Sequence, residues 1–550
     1  MQRRSLAFAF LSALTIAPAA ADETPEFTPE GVRAHVEFLA DDLLEGRETG
    51  SVGYEIAARY VASRFDAMGL KPAGDGGDWF QRIAFQQNDR TATPARVTIT
   101  GPAGLKSWAH ATDVLVAMNQ REPKLDVSAP LVFVGYGIEN AEFGLDDYKG
   151  LDVKGKIVVA LRGYPKGLPS EAGAHLSATK SKAAERHGAI GVISIGTRLS
   201  MKTRRWSQSV YYSTGPSVSW VGKDGKPFDE APGIRAGASL NTPAAEAAFA
   251  GAPRSLADIL TEADREGGKP GGFPLKSSIR VQVESRAKQV TSPNIVAILP
   301  GSDPKLAGEY IVLSAHLDHL GPKPVQPGDP AKMDRINNGA LDNAAGIATM
   351  LEVARAMAAA PVKPRRSLIF LASTGEEKGL LGADYYARNP TVPIGKVVGN
   401  VDLDMPLLLY RFTDVNAFGA EHSTVAAIAA EAIAPMGLKV SPDPAPEENT
   451  FVRSDHYMFV KQGVPAVFLA TGYANGGEAA WNAFTEKAYH RPSDDMAQKI
   501  DWIAGARFAE ANYRITRALA DHDTPPMWYE GDFFGNLFAP DRPKAPAPQK

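Results

Sequence analysis

Five short motifs fall in order along the second half of this chain: His316-x-Asp318, Asp342, Glu376-Glu377, Asp404 and His490. Three of them close strand-like runs. His316 follows Tyr310-Ile-Val-Leu-Ser-Ala315, Glu376 follows Leu368-Ile-Phe-Leu-Ala-Ser-Thr-Gly375, and Asp404 ends Val397-Val-Gly-Asn-Val-Asp-Leu-Asp. Polar groups at the ends of buried strands demand a fold in which those ends lie side by side. The carboxyl edge of an open α/β sheet is such a place, and it is where such sheets bind ligands.

The surrounding pattern agrees. Strand candidates at Asn294 to Leu299, Tyr310 to Ala315, Ser367 to Ala372, Val397 to Asp402 and Ala466 to Ala470 alternate with helices. The helix candidates are Ala344 to Ala358, Thr424 to Met436, Arg453 to Gln462 and Asp501 to Ala520. This predicts an α/β fold with a mainly parallel sheet flanked by helices. Upstream, residues 29–70 read as two helices, the second with apolar residues Ile56, Tyr60, Phe65 and Met68 at helical spacing. Composition shifts at about Val127, and the stretch to Lys288 reads as a smaller α/β insert. From Pro540 the tail is rich in Pro, Ala and Lys and is expected to be disordered. The expected division is therefore 1–21 signal peptide, 22–126 N-terminal part of the main domain, 127–288 insert, 289–524 catalytic domain and 525–550 tail.

With 550 residues, one hydrophobic core is too few, and two domains are expected. Net charge is −4 with both signs interspersed. No basic stripe marks a nucleic-acid surface. Arg3 and Arg4, the apolar run Leu6 to Ile16 and the small residues Ala17-Pro-Ala-Ala-Ala21 read as a secretory signal. The expected location is the periplasm or the exterior, with no stable membrane span after cleavage. There are no cysteines, so any metal must be held by His, Asp and Glu.

Taken singly, each motif has a plainer reading. H-x-D is often incidental, Asp342 fits a helix N-cap, Glu376-Glu377 fits a solvated turn, and His490 fits a surface loop. Asp402 and Asp404 share a strand face, so spacing does not choose between them. Asp318 is placed to orient the His316 ring by accepting its second N–H. Jointly, one histidine and one carboxylate per metal, a carboxylate able to bridge and a spare glutamate make a complete hydrolytic set. Nitrogen and oxygen ligands without sulfur suit zinc, and manganese or cobalt would fit the same set.

These residues resemble the di-zinc aminopeptidase and glutamate carboxypeptidase II family of exopeptidases. The resemblance rests on Ala315-His-Leu-Asp-His319, Gly339-Ala-Leu-Asp-Asn343, Thr374-Gly-Glu-Glu377, Asn400-Val-Asp-Leu-Asp-Met405, Ser454-Asp-His456 and Tyr489-His490. Phe38-Leu-Ala-Asp-Asp-Leu-Leu-Glu-Gly-Arg47 is similar to the family's opening helix and turn. The resemblance implies a zinc-exopeptidase, phosphorylase/hydrolase-like fold, with 127–288 as an inserted protease-associated domain. It also implies two zinc ions: His316 and Asp404 on one, Glu377 and His490 on the other, Asp342 bridging after a cis Asp342–Asn343 peptide. Glu376 would be the general acid/base, with Asp318 behind the ligands, and Asp404 is preferred to Asp402. The implied substrates are peptides with a free N-terminus. A carboxypeptidase of the same fold, with Arg453 facing a C-terminal carboxylate, a glutaminyl cyclase and a non-catalytic binding protein are the alternatives.

Overall fold

The structure is a computed structural model that describes residues 25–323, 325, 330 and 332–548. The expected signal segment 1–21 lies outside the described residues. Among the described residues no helix is long and apolar enough to cross a membrane.

Four parallel strands form the centre of the main sheet. Their order is Ser367–Ser373, Tyr310–His316, Val397–Leu403 and Ala466–Thr471. Ser367–Ser373, Tyr310–His316 apart from its partly exposed Tyr310, and Ala466–Thr471 are buried throughout. Strands covered on both faces read as unbroken apolar runs, which is why these were visible in the sequence. Antiparallel strands flank them: Asp414–Phe418 beside Ala466–Thr471, and the end of Phe273–Leu299 beside Ser367–Ser373. The helices Ala345–Ala359 and Trp502–Asp521 cover one face, with Val32, Val36 and Leu39 of the helix Pro29–Leu39 packed into the same core.

The helix Val52–Ala67 buries Tyr54, Ala57, Ala58, Val61, Ala62 and Phe65, while Ile56 is exposed. The predicted stripe was thus rotated. Small alanines at 57, 58 and 62 carry the packed face, and residue size misled the apolar pattern. The helix expected over Arg453 to Gln462 contracts to His456–Val460, because Thr450–Val452 forms a separate 3₁₀ turn and Ser454 and Asp455 turn toward the site.

The second sheet is joined to the first by one strand. Phe273–Leu299 runs for 27 residues. Its first half pairs with Lys124–Phe133 and Arg96–Gly101, its middle with Phe80–Arg90, and its end with the main sheet. Parallel strands Ile157–Leu161, Gly191–Ile195 and Ala236–Leu240 complete this smaller sheet. Strands from residue 96 onward therefore pair within the second sheet, upstream of the composition shift at Val127.

The tail is ordered through Pro548 by packing on its own chain, contrary to the expectation of disorder from Pro540. Trp528, Phe533 and Phe534 are buried in the core beside Phe451 and Tyr457. Ala545 pairs with the backbone of Trp528 and Glu530. Proline-rich composition predicted a loose chain, but three buried aromatic rings anchor it.

Candidate metal centre

The carboxyl ends of the three central strands meet as the motif order required. His316 is the last residue of its strand, Asp404 follows Leu403, and Glu376 and Glu377 lie just beyond Ser373. Asp342 comes from the turn that opens the helix Ala345–Ala359, and its peptide to Asn343 is cis. The Asn343 side chain ties that turn to the next strand end: its NH2 donates to Leu403 O (2.8 Å) and its oxygen accepts from Met405 N (3.2 Å). His490 sits in a loop at φ +58°, a left-handed backbone that costs a non-glycine residue energy and is held by its surroundings.

The two oxygens of Asp342 face different histidines. Oδ1 lies 3.3 Å from His316 Nε2, and Oδ2 lies 3.2 Å from His490 Nε2. His316 Nε2 is also 3.2 Å from Asp404 Oδ1, and His490 Nε2 is 3.2 Å from Glu377 Oε2. Ligand atoms around a tetrahedral zinc with bonds of ~2.0–2.1 Å stand about 3.3 Å apart. The donors present therefore fit a metal ion on each side of Asp342. Burial alone would neutralise these groups; instead the facing charges hold Asp342 and Glu377 below the usual carboxylate range and both imidazoles above theirs.

Glu376 differs from its neighbour. Its Oε2 lies 4.0 Å from His316 Nε2, at the border of the cluster. Burial, countered by His316 and reinforced by Asp404, Glu377 and Asp455, pushes its carboxyl well above the ordinary range. A carboxyl shifted upward in this way holds a proton more readily than an exposed glutamate does.

The site brings together His316, Asp342, Glu376, Glu377, Asp404 and His490. Asp318 is adjacent, but its expected contact with the His316 ring is corrected. His316 Nδ1 faces the backbone carbonyl of Asp318 at 3.1 Å. The Asp318 carboxylate instead accepts from Thr49 Oγ1 (3.1 Å) and from the backbone N–H groups of Glu376 (3.1 Å) and Glu377 (3.4 Å). Two residues of extended chain carry the side chain past the ring, so it braces the glutamates rather than the histidine. Asp402 is also resolved from Asp404: it accepts from Ser314 (2.6 Å) and Ser454 (2.7 Å), and burial pushes its carboxyl up to about 6.

Several functional neighbours escaped the sequence reading. His319, fully buried, places Nδ1 2.5 Å from Glu377 Oε1 and so leaves Oε2 for His490's side of the site. Its signal was its place in the Ala315–His319 segment. Asp494 accepts from the backbone N–H groups of Leu341 (3.0 Å) and Asp342 (3.0 Å) and fixes the Asp342 turn. Arg47 is buried and donates to the carbonyls of Leu317 (2.9 Å), Asn338 (2.6 Å) and Gly339 (3.1 Å), joining the His316 and Asp342 loops. Tyr212 reaches in from the insert, its hydroxyl 3.3 Å from His490 Nδ1. No short spacing links 47 and 212 to the other site residues, whereas Asp494 stands four residues after His490.

Similarity to known proteins follows the same division. The profile of peptidase family M28 matches residues 294–516, and the PA domain profile matches residues 127–226. Residues 294–516 therefore carry a segment of the peptidase family M28 type, and residues 127–226 one of the PA type. The PA segment thus precedes the M28 segment along the chain. Leupeptin-inactivating enzyme 1 of Streptomyces exfoliatus is 25% identical over 269 residues, 47% of this chain and 54% of that protein. A probable zinc metalloprotease of Pyrenophora tritici-repentis is 35% identical over 117 residues, 21% of this chain and 24% of that protein. The chain thus spans about half or less of the length of these curated relatives. The aminopeptidase from Aneurinibacillus sp. strain AM-1 shares the fold at a TM-score of 0.51 and 22% identity, covering 91% of this chain and 96% of that one.

Proposed function

We propose that this chain is an exported di-zinc aminopeptidase of the M28 type that removes N-terminal residues from peptides. The observation that carries the reading is Asp342, whose two oxygens face two separate histidine–carboxylate pairs. In this reading His316 and Asp404 hold one zinc, Glu377 and His490 hold the other, and Asp342 is shared. Manganese or cobalt would occupy the same donors. The export signal is residues 1–21, and residues 127–288 form the PA insert.

When bound, two such metals acidify a shared water and polarise the scissile carbonyl. The side chains of this chain do the rest. Glu376 takes the proton from the attacking water and passes it to the leaving amine. Asp318 fixes the backbone from which Glu376 and Glu377 project. Arg47 and Asp494 hold the two ligand loops in register. The surplus of carboxylates around the site favours the protonated α-amine of a peptide.

A carboxypeptidase reading has one observation in its favour. Arg453 lines a cavity of about 710 Å³ with Arg162, Arg204, Arg491 and Tyr489. Such a group of guanidinium ions suits a C-terminal carboxylate. One experiment separates the readings. The mature protein with zinc is given the same peptide in C-amidated and N-acetylated forms, and mass spectrometry shows which end shortens. Shortening of the C-amidated form alone is expected. Shortening of the N-acetylated form alone would replace the aminopeptidase reading with the carboxypeptidase one. Cleavage of neither, with metal bound, would favour a cyclase or a binding role.

A further inference from the structure

Away from the metal centre, another histidine is bracketed by carboxylates. His422 lies on the turn after the strand Asp414–Phe418. Its Nδ1 is 2.5 Å from Asp532 Oδ2, and its Nε2 pairs with Glu171 Oε2. Glu171 belongs to the insert helix Ser170–Ala178, and Asp532 caps the tail helix Phe533–Phe538. Three separate parts of the chain meet at one imidazole. Glu421 stands beside it, and ligand atoms of Glu171, Glu421 and His422 all lie within 4.8 Å of one another.

We propose that Glu171, Glu421 and His422 form a second kind of metal site, a divalent-cation clasp that fastens the insert to the main domain and the tail. Four observations support it. First, a metal-binding histidine usually gives its other N–H to a carboxylate, which aims the free nitrogen at the ion. Asp532 is placed to do this, its second oxygen accepting from Gly535 N at 2.7 Å, and the ion would displace the hydrogen bond that joins His422 Nε2 to Glu171 Oε2. Second, Glu171 is buried, yet among the described residues its Oε1 has no hydrogen-bond partner. A buried carboxylate oxygen without a partner is costly, and a cation would satisfy it. Third, Asp443 adds negative charge to Glu171 and Glu421, leaving one imidazole to serve several acids. Fourth, Glu421 is exposed, so the site has a path for an ion and room for water on it.

The donor set of one imidazole and two carboxylates suits zinc or manganese. Phe451 and Phe534 pack their rings against His422, at centroid distances of 5.6 and 4.8 Å, and fix its plane. An ion here would act on how the insert sits over the catalytic cleft, because Glu171 is the insert's contribution.

Crystals of the mature protein grown with zinc test the site directly by anomalous scattering at the zinc edge. A peak between His422 Nε2, Glu171 and Glu421 is expected. No peak at His422, whatever the metal centre holds, overturns the proposal and leaves a plain ion pair. In solution, Glu171→Gln combined with Glu421→Gln should lower bound zinc by one equivalent per chain in elemental analysis. An unchanged zinc count in the folded double variant also overturns it. If that variant does not fold, the wild-type crystals still decide.

Discussion

The two histidine–carboxylate clusters are assembled in different ways. The candidate metal centre draws its side chains from strand ends and turns of one domain, residues 316 to 490. The junction at His422 draws on the insert, the main domain and the tail, with Glu171, Glu421 and Asp532 around one ring. Both pair an imidazole with acids, but in the first an extra carboxyl, Glu376, stands 4.0 Å from His316 and outside the histidine–carboxylate pairs. The difference suggests a division of labour. One cluster has a group free to move protons, and the other has only groups that hold.

The strongest attack on that comparison is Glu376→Gln. The amide keeps the size of the side chain but cannot take a proton. We expect kcat to fall by about 10³-fold or more, in the upper range for loss of a general base, with bound zinc unchanged in elemental analysis. Near-normal turnover would remove the special status of the metal centre. Loss of zinc along with activity would make Glu376 a ligand instead.

A third histidine sharpens what the acids do in both clusters. His456 is buried beside Phe451 and Phe468, and among the described residues neither ring nitrogen has a hydrogen-bond partner. Burial holds its pKa down to about 3, from an ordinary 6.5. The unfolded chain therefore binds a proton below pH 6.5 that the folded chain refuses until about pH 3. This contribution to stability is complete above pH 6.5 and is lost as the pH falls toward 3. Between pH 6.5 and 4.5 the loss amounts to about 2–3 kcal/mol. Urea denaturation of wild type and His456→Phe at both pH values checks it. The variant should lose less stability than wild type by that amount, and equal losses would mean that the ring finds a proton acceptor in the fold.

A smaller effect is expected from the layer behind the ligands. Asp494 braces the Asp342 turn through two backbone N–H groups. Asp494→Asn turns an acceptor into a donor against one of them. Zinc affinity should weaken about 10–100-fold, as for outer-shell partners of other metal sites, measured by competition with a chelator. Unchanged affinity would show that the Asn343 contacts to Leu403 and Met405 suffice to hold the Asp342 turn in place.

The ease of reading these regions follows from how each is held. The central strands were legible because burial on both faces leaves unbroken apolar runs. The residues that meet at the strand ends were legible because His316, Glu377 and Asp404 sit at fixed short offsets from those runs. Asp318 was found, but its target was not, because two residues of chain geometry decide between a ring and a backbone. His422 and Tyr212 carry no local signal at all. Their partners are 251 and 278 residues away, brought close only by packing of the insert. The tail misled for a related reason: its composition is that of a loose chain, while its order comes from Trp528 and Phe534 finding a distant core.

The smallest expected effect tests whether the insert takes part in the chemistry or only covers it. Tyr212 lies on the insert helix Trp206–Ser213 and lines two cavities, of about 850 and 710 Å³. Its hydroxyl is 3.3 Å from His490 Nδ1, but the residue is 43% exposed. A half-exposed contact of that length contributes about 0.5–1.5 kcal/mol. Tyr212→Phe keeps the ring and removes the contact, so kcat/KM should fall by roughly 2–10-fold, a factor that corresponds to the same energy. If the insert is a cover, the loss appears in KM, with zinc affinity as in wild type. A fall in zinc affinity matching that of Asp494→Asn would place Tyr212 among the groups that set the His490 ring. The insert would then be part of the metal centre, and the division between a cluster that reacts and a junction that holds would fail at this residue.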